Sequence, residues 1–171
     1  MQEMMIRLAQ ESDLPRVAEL YRLAVGQPGC TWDEEYPTME NALFDYRSAG
    51  LYVCESRGEV IGVVSVVTGE NLELNGLSCW KDRDGAKPAE IARITVCKSF
   101  QGRGIARRML AELFESLRSR GFSSIRLLVA KCNPAATMTY RKLGFAFHME
   151  CEMYGHSYWA CEKIFNTAEE P

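Results

Sequence analysis

The sequence has no apolar stretch long enough to cross a membrane. Its longest mostly apolar stretch, residues 60–67, is far shorter than the roughly 20 residues that a spanning helix needs. The first eight residues include Glu3 and Arg7 and lack the long apolar core of a signal peptide. Seven cysteines are present without a Cys-x-x-Cys pair, and an odd number fits poorly with complete disulfide pairing. We therefore expect reduced thiols, a cytoplasmic location and no membrane contact.

The chain also has little net charge. Its 20 Lys and Arg residues and 23 Asp and Glu residues give −3 at pH 7, so nothing attracts nucleic acid to the protein as a whole. Residues 93–142 differ, because their many Lys and Arg residues are accompanied by only two acidic residues, Glu112 and Glu115. This basic segment indicates either an anionic ligand or a solvated, arginine-rich helix face, and the acidic remainder suggests a cationic ligand elsewhere.

The length of 171 residues and the ordinary globular composition predict one domain over residues 1–165 and a flexible tail over residues 166–171. Hydrophobic periodicity predicts helices that are bounded by capping residues and glycines, at residues 13–25, 38–50, 102–120 and 134–144. Alternating or continuous apolar runs predict strands at residues 5–8, 51–55, 60–67, 90–96, 125–129, 145–152 and 157–164. Residues 68–89 have no clean period, although Leu72, Leu74 and Leu77 are compatible with a short strand. This order predicts an α/β (α+β) domain with a mixed sheet.

The segment Gln101-Gly102-Arg103-Gly104-Ile105-Ala106 joins a predicted strand to a predicted helix. Glycines at such a turn let a ligand approach the backbone, and the first N–H groups of the helix are free to bind an anion. Arg103, Arg107 and Arg108 would reinforce such a site, which suits a phosphate-bearing cofactor. The alternative is a tight turn without a ligand. No Gly-Lys-Ser/Thr follows, so the turn is not a Walker loop, and the dinucleotide-binding fingerprint is also absent.

Two motifs resemble those of the GNAT superfamily of N-acetyltransferases. Gln101, Gly104 and Ala106 match the superfamily's Gln/Arg-x-x-Gly-x-Gly/Ala signature, and residues 133–145 are similar to its Asn-x-x-Ala-x-x-x-Tyr-x-x-x-Gly-Phe block. The opening segment, residues 6–14, also looks like the usual first strand and helix entry. The resemblance spans about residues 5–164.

The resemblance implies a mostly antiparallel sheet of six to seven strands with splayed central strands, flanked by about four helices. It also implies that acetyl-CoA is the cofactor. The backbone amides of roughly Arg103 to Arg108 would hold its pyrophosphate, and the strand around Ile94 to Val96 would pair with its pantetheine arm. The implied cofactor-binding residues are Ile94, Thr95, Val96, Gln101, Gly102, Arg103, Gly104, Ile105, Ala106, Arg107, Asn133, Ala136 and Tyr140.

Acyl transfer to an amine needs a neutral nucleophile, a stabilised oxyanion and a protonated leaving thiolate. The resemblance implies that Tyr140 is the general acid and that Glu90 is the base, acting directly or through water. A cofactor-contacting core tyrosine and an exposed carboxylate at the start of a strand are the alternatives. The oxyanion donor would be a backbone N–H near Ile94 or Val96.

Cysteine chemistry and metal chemistry find little support in the sequence. Cys97 and Cys132 have no histidine near them in the chain, so we expect direct attack by the amine rather than an acyl-enzyme. The two histidines and two cysteines of the last predicted hairpin lack finger-like spacing, and we therefore expect no metal site.

The acceptor site is expected between the first two helices and the last hairpin, as in the family. The loop residues Trp32, Glu34, Glu35 and Tyr36, together with Asp33, suit a cationic amine, although a solvated acidic turn is the alternative. Aromatic residues of the last hairpin would close the other side. We expect a small cationic metabolite or amino-acid-like amine; a peptide N-terminus, a protein lysine, an aminoglycoside or a non-catalytic acyl-CoA-binding module are alternatives. Homodimers are common in the family, but no interface is evident.

Overall fold

The computed structural model describes residues 4–81 and 84–165. Within these ranges the helices are α1 (Leu14–Ala24), α2 (Met39–Arg47), α3 (Ile105–Ser119) and α4 (Pro134–Lys142). The strands are β1 (Met4–Leu8), β2 (Leu51–Ser56), β3 (Glu59–Thr68), β4 (Pro88–Val96), β5 (Ser124–Ala130), β6 (Ala146–Met153) and β7 (His156–Ile164). No helix in the described part of the chain is both long enough and apolar enough to span a membrane. The predicted tail, residues 166–171, lies outside the described residues.

The described strands form one sheet in the order β1-β2-β3-β4-β5-β7-β6, and every neighbouring pair except β4–β5 is antiparallel. The parallel pair is short, because only Pro88–Glu90 pair with Ser124–Arg126. Beyond Glu90 the two strands separate. The mixed, mostly antiparallel sheet with splayed central strands confirms the predicted fold class.

Helices cover both faces of the sheet. Leu20 and Tyr21 of α1 pack with Ala42 of α2 against β2 and β3, and form one apolar core. Met109 and Leu113 of α3 belong to a larger core on the other face, to which β4, β5 and α4 also contribute. The hydrophobic periodicity that predicts this helix therefore corresponds to its buried side.

A β-bulge in β4 decides which of its side chains share a face. Val66 of β3 pairs with Ile91 and Ser65 pairs with Arg93, so Ala92 is an extra residue in β4. Side chains three positions apart point to opposite faces of a regular strand. The extra residue shifts this alternation by one and places Glu90 and Arg93 on the same face.

The segment of residues 69–81 contains two 3₁₀ turns, Gly69–Asn71 and Leu74–Gly76, and the short strand considered for Leu72, Leu74 and Leu77 is absent. Side chains from distant strands hold this segment in place. The Glu90 carboxylate accepts hydrogen bonds from the Glu73 and Leu74 N–H groups at 2.8 and 2.9 Å. The Glu162 carboxylate accepts one from the Lys81 N–H at 2.9 Å. Because this segment does not pair as a strand, its sequence needs no alternation of apolar and polar residues.

Arg93 and Asp45 form a buried ion pair between β4 and α2. The Asp45 carboxylate accepts from Nε of Arg93 at 3.1 Å and from Nη2 at 2.8 Å, and Asp45 is only 1% exposed. This pair joins α2 to the bulged part of β4.

We expect the substitution Asp45→Ala to lower the free energy of unfolding by about 3–5 kcal/mol, because it leaves the Arg93 guanidinium buried without its partner. Urea unfolding measures the change. Glu115→Ala is the matched control, since it removes the exposed ion pair between Glu115 and Arg118 and should cost less than about 1 kcal/mol. Equal losses in the two variants would contradict the importance of the buried pair.

Candidate active site

The separation of β4 from β5 opens a groove of about 900 Å³ across the middle of the sheet. Its floor consists of β4 and β5, and α4 forms one wall. The α1–α2 loop (residues 25–38), part of the 69–81 segment and the β6–β7 turn surround the rest. Most of the candidate residues from the sequence meet in this groove.

The part of β4 beyond Glu90 presents an unpaired edge to the groove. Ile94, Thr95 and Val96 line the groove, and no described strand pairs with their β5-facing edge. The Val96 carbonyl accepts a hydrogen bond from Nε2 of Gln101 at 2.9 Å. The remaining backbone groups of this edge can bind an extended amide-containing chain in the manner of an added strand.

The glycine turn that follows β4 exposes the start of α3. Gly102 and Gly104 have φ values of +73° and +75°, a conformation that other residues rarely adopt. Gly104 is the N-cap of α3 and provides no side-chain cap, so the first N–H groups of the helix are left for an anion. Arg103 lies over the Phe100 ring at 5.3 Å. With Ile105 and Arg107, these residues lie beside the groove rather than among those that line it.

Tyr140 of α4 presents its phenol to the groove from the core. It is 6% exposed and packs edge-on against Phe145, with 5.3 Å between the ring centroids. Its hydroxyl has no hydrogen-bond partner among the described residues, and burial raises the pKa of this hydroxyl. Tyr140 therefore remains a phenol at neutral pH and can donate a hydrogen bond into the groove. Ala136, one turn earlier in α4, lines the same wall.

The α1–α2 loop lies over the groove. It contacts one residue that follows β4 and one that follows β5, the two strands that separate. Nε2 of Gln101, after β4, donates to Oε1 of Gln27 at 3.0 Å. Gly29 lies against Asn133, the N-cap of α4 after β5. A Cβ atom on Gly29 would lie 2.8 Å from Cγ of Asn133, so only glycine permits this approach.

Two carboxylates lie at the opposite end of the groove from the glycine turn. Glu90 is 3% exposed, and burial raises the pKa of its carboxyl despite the two backbone hydrogen bonds that it accepts. Oε2 of Glu73 accepts a hydrogen bond from the Tyr154 hydroxyl at 3.0 Å. Burial and this contact raise the pKa of Tyr154 to about 12. The contact links the 69–81 segment to the β6–β7 turn.

The acidic loop that the sequence singles out contributes to the groove only in part. Trp32 and Tyr36 line it, whereas Glu34 and Glu35 are exposed and lie outside it. Asp33 also lines the groove, but its Oδ1 accepts hydrogen bonds from the Glu35 and Tyr36 N–H groups. The carboxylates that face the groove are therefore those of Asp33, Glu73 and Glu90.

The last hairpin supplies Tyr154, His156 and Tyr158 to the groove, while Trp159 packs against Phe147 instead. His148 lies outside the groove, with Nε2 3.2 Å from Oε2 of Glu162. Across residues 4–81 and 84–165 no three His, Cys, Asp or Glu side chains are grouped so that they could hold a metal ion.

The groove also contains polar residues that the sequence analysis did not single out, among them Asn41, Glu73 and Arg93. Arg93 was part of an apparently regular strand, and no signal in the sequence marks the bulge at Ala92 that turns it toward the groove. Glu73 belongs to residues 68–89, which have no clean hydrophobic period. Asn41 carried a weak signal, because a polar residue three positions after Thr38 is typical of a capping box.

Comparison with known proteins agrees with this geometry. The model of the acetyltransferase (GNAT) family matches residues 16–145. An L-methionine sulfoximine/L-methionine sulfone acetyltransferase of Pseudomonas paraeruginosa is 26% identical over 90% of this chain and 86% of its own length. The L-amino acid N-acyltransferase MnaT of Escherichia coli is 26% identical over 89% of this chain and 85% of its own length.

Solved structures share the fold. A GNAT-family acetyltransferase of Streptococcus agalactiae superposes with a TM-score of 0.80 at 20% identity, over 96% of each chain. The yncA protein of Salmonella typhimurium, whose structure contains its cofactor acetyl-CoA, gives a TM-score of 0.74 at 21% identity over 99% of this chain and 98% of its own. A ribosomal-protein-alanine N-acetyltransferase of Brucella melitensis gives 0.70 at 26% identity over 94% and 99%.

The importance of the contact between Gly29 and Asn133 can be tested by substituting each of two glycines in the α1–α2 loop. We expect Gly29→Ala to raise the KM for acetyl-CoA at least several-fold, because the new methyl group pushes the loop away from Asn133. Steady-state kinetics measure the effect.

Gly26→Ala is the matched control for this substitution. Gly26 has nearly the same φ, +78° against +80° for Gly29, but no atom lies within 4 Å of its added Cβ. Its backbone strain alone should cost about 1 kcal/mol of stability and leave the KM unchanged. The same KM in both alanine variants would show that the loop does not depend on this contact.

Proposed function

Since the chain belongs to the acetyltransferase (GNAT) family and is therefore an acyltransferase, we propose that it moves the acetyl group of acetyl-CoA to the amino group of a small, amino-acid-like acceptor. The observation that carries this proposal is the groove itself. An unpaired strand edge, an unpartnered buried phenol and a buried carboxylate all face one cavity. The relatives named for amino-acid acetylation and acylation support the class of acceptor.

The residues at the glycine-turn end fit acetyl-CoA. The first N–H groups of α3, from Ile105 onward, together with Arg103 and Arg107, would hold the pyrophosphate. The β4 edge at Ile94, Thr95 and Val96 would bind the amides of the pantetheine arm. Gln101, Gly102, Gly104, Ala106, Asn133 and Ala136 complete the proposed cofactor site.

Glu90 is the proposed base. Alkyl amines have a pKa near 10.4 and are mostly protonated at neutral pH, so the acceptor must lose a proton before it attacks. Each Glu90 oxygen has two lone pairs, and the backbone N–H groups of Glu73 and Leu74 each use one. The free lone pairs can accept the proton directly or through a water molecule. A raised pKa brings this carboxylate closer to the working pH of a general base.

Tyr140 is the proposed general acid. Its hydroxyl is a phenol at neutral pH and has no partner among the described residues, so it is free to donate to the sulfur as the C–S bond breaks. Trp32 and Tyr36 are the proposed acceptor contacts. Glu34 and Glu35 would act only at longer range, through the potential at the mouth of the groove.

A protein N-terminus is the second candidate acceptor. The fold neighbour of Brucella melitensis is named as a ribosomal-protein-alanine N-acetyltransferase. Tyr36 of the α1–α2 loop and Tyr154 of the β6–β7 turn have polar ends that also suit a peptide backbone.

An acceptor panel tests the proposal. Acetyl-CoA-dependent release of thiol is measured with free amino acids that include L-methionine sulfone, with putrescine, and with a peptide that begins with alanine. We expect turnover of at least one free amino acid with a kcat/KM at least tenfold above that of the peptide. Turnover of the peptide alone would favour the second candidate, and no turnover of any amine would favour a binding module.

The role of Tyr140 is tested by Tyr140→Phe. Because the hydroxyl makes no hydrogen bond to the described protein, its removal should leave the fold intact. We expect kcat to fall about 100-fold, the lower range for loss of a general acid, while the Kd of acetyl-CoA changes less than about twofold. Single-turnover kinetics and calorimetry measure the two quantities. A weaker Kd with an unchanged kcat would make Tyr140 a cofactor contact only.

A further inference from the structure

Tyr36 and Arg93 place hydrogen-bond donors in the acceptor part of the groove. Nη1 of Arg93 donates to the Tyr36 hydroxyl oxygen at 2.8 Å. A guanidinium can only donate, so the Tyr36 oxygen must accept in this contact and its own proton is left for another acceptor. Among the described residues none accepts that proton, and none accepts the second N–H of Nη1. Both side chains line the groove.

Asn41 adds a third donor to this side of the groove. Its Oδ1 accepts from the backbone N–H of Thr38 at 2.8 Å, in the capping box at the start of α2. Because a backbone N–H can only donate, the Asn41 atom that faces it must be the amide oxygen, and this fixes the orientation of the Asn41 side chain. The NH₂ group is therefore left without a partner among the described residues, and Asn41 lines the groove.

The position of Asp45 gives this side of the groove its polarity. Asp45 compensates the charge of Arg93 from behind, but it is buried and is not among the residues that line the groove. A ligand there meets three donors, the guanidinium edge, a phenol proton and an amide NH₂, while Oδ1 of the neighbouring Asp33 already accepts from the Glu35 and Tyr36 N–H groups. Such a set is complementary to a carboxylate and not to an ammonium group.

The same β-bulge that brings Arg93 into the groove places Glu90 on the same face of β4. The acceptor end therefore has carboxylates, at Glu90 and Glu73, and a separate set of donors at Tyr36, Arg93 and Asn41. A zwitterionic amino acid carries both complementary charges within one small molecule, whereas a simple amine carries one.

We propose that Tyr36, Arg93 and Asn41 bind the carboxylate of the acceptor and thereby select free amino acids over simple amines and peptides. This inference rests on the proposed function. It assigns the three residues to recognition of the acceptor, with Arg93 also orienting the Tyr36 hydroxyl.

The test compares Tyr36→Phe with the wild type on L-methionine sulfone, or on the free amino acid of the panel that the wild type uses best, and on the primary amide of the same amino acid. For each acceptor, the KM of the variant is divided by the KM of the wild type. This ratio cancels the different basicity of the two amines. We expect the KM for the free acid to rise about 10- to 100-fold, as for loss of a hydrogen bond to a charged group, and the KM for the amide to change less than about twofold.

Asn41→Asp provides an independent variant. The aspartate keeps an oxygen for the Thr38 N–H, so the cap of α2 is retained, but a negative oxygen replaces the NH₂ donor. We expect the KM for the free acid to rise at least tenfold, with little change for the amide. Tyr46→Phe is the matched control, because Tyr46 also lies on α2 but outside the groove, and both KM values should be unchanged.

The outcomes separate this inference from the function on which it rests. If the wild type acetylates the free acid but Tyr36→Phe changes the KM of acid and amide by the same factor, the carboxylate site is wrong and the proposed function stands. If the wild type uses the amide at least as well as the acid, the selection for a carboxylate is also wrong. If the wild type acetylates no free amino acid, both proposals fail.

Discussion

The short pairing between β4 and β5 is the constraint on which the rest of the structure depends. Three residues of each strand pair at one end, which is enough to join the two halves of the sheet. Beyond them the strands separate, and backbone groups that would otherwise bond to each other are available to a ligand. Exposed strand edges usually invite unwanted pairing. Here the α1–α2 loop, held at Gln101 and Asn133, covers the gap and restricts what can reach that edge.

The bulge at Ala92 is a second, local departure from regular pairing, and it determines the chemistry of the groove. Without it, Glu90 and Arg93 would lie on opposite faces of the sheet. With it, a buried carboxylate and a buried guanidinium both face the groove, and each is held by its own partners. The backbone of the 69–81 segment holds Glu90, and Asp45 holds Arg93. Breaking such a buried ion pair is costly, so these partners fix the positions of the groups that face the ligand.

The sequence predicts the parts of this structure that local patterns control. Periodicity located the four helices and the strands, since each buries one face, and the glycine turn and Asn133 mark helix starts whose geometry depends on neighbouring residues. Two features depend on long-range contacts and were not predictable. The 69–81 segment is held by carboxylates from β4 and β7, and the bulge residue Ala92 lies in a run that reads as an ordinary strand. The role of the acidic residues in the α1–α2 loop was also ambiguous. The sequence does not reveal that Asp33 lines the groove while Glu34 and Glu35 lie outside it.

The charges at the two ends of the groove differ in how they act. Arg103 and Arg107 are exposed, so salt screens their field beyond about 8 Å and confines their effect to the glycine turn. Glu90 is buried, and its charge is screened much less. An anion is thus attracted at the start of α3 and repelled beside Glu90 and Glu73, whereas the proposed carboxylate site at Tyr36, Arg93 and Asn41 is a separate set of donors. This asymmetry suits the proposed cofactor, whose phosphates would lie at one end and whose reacting group is uncharged, and it would keep the other end free for the proposed amine.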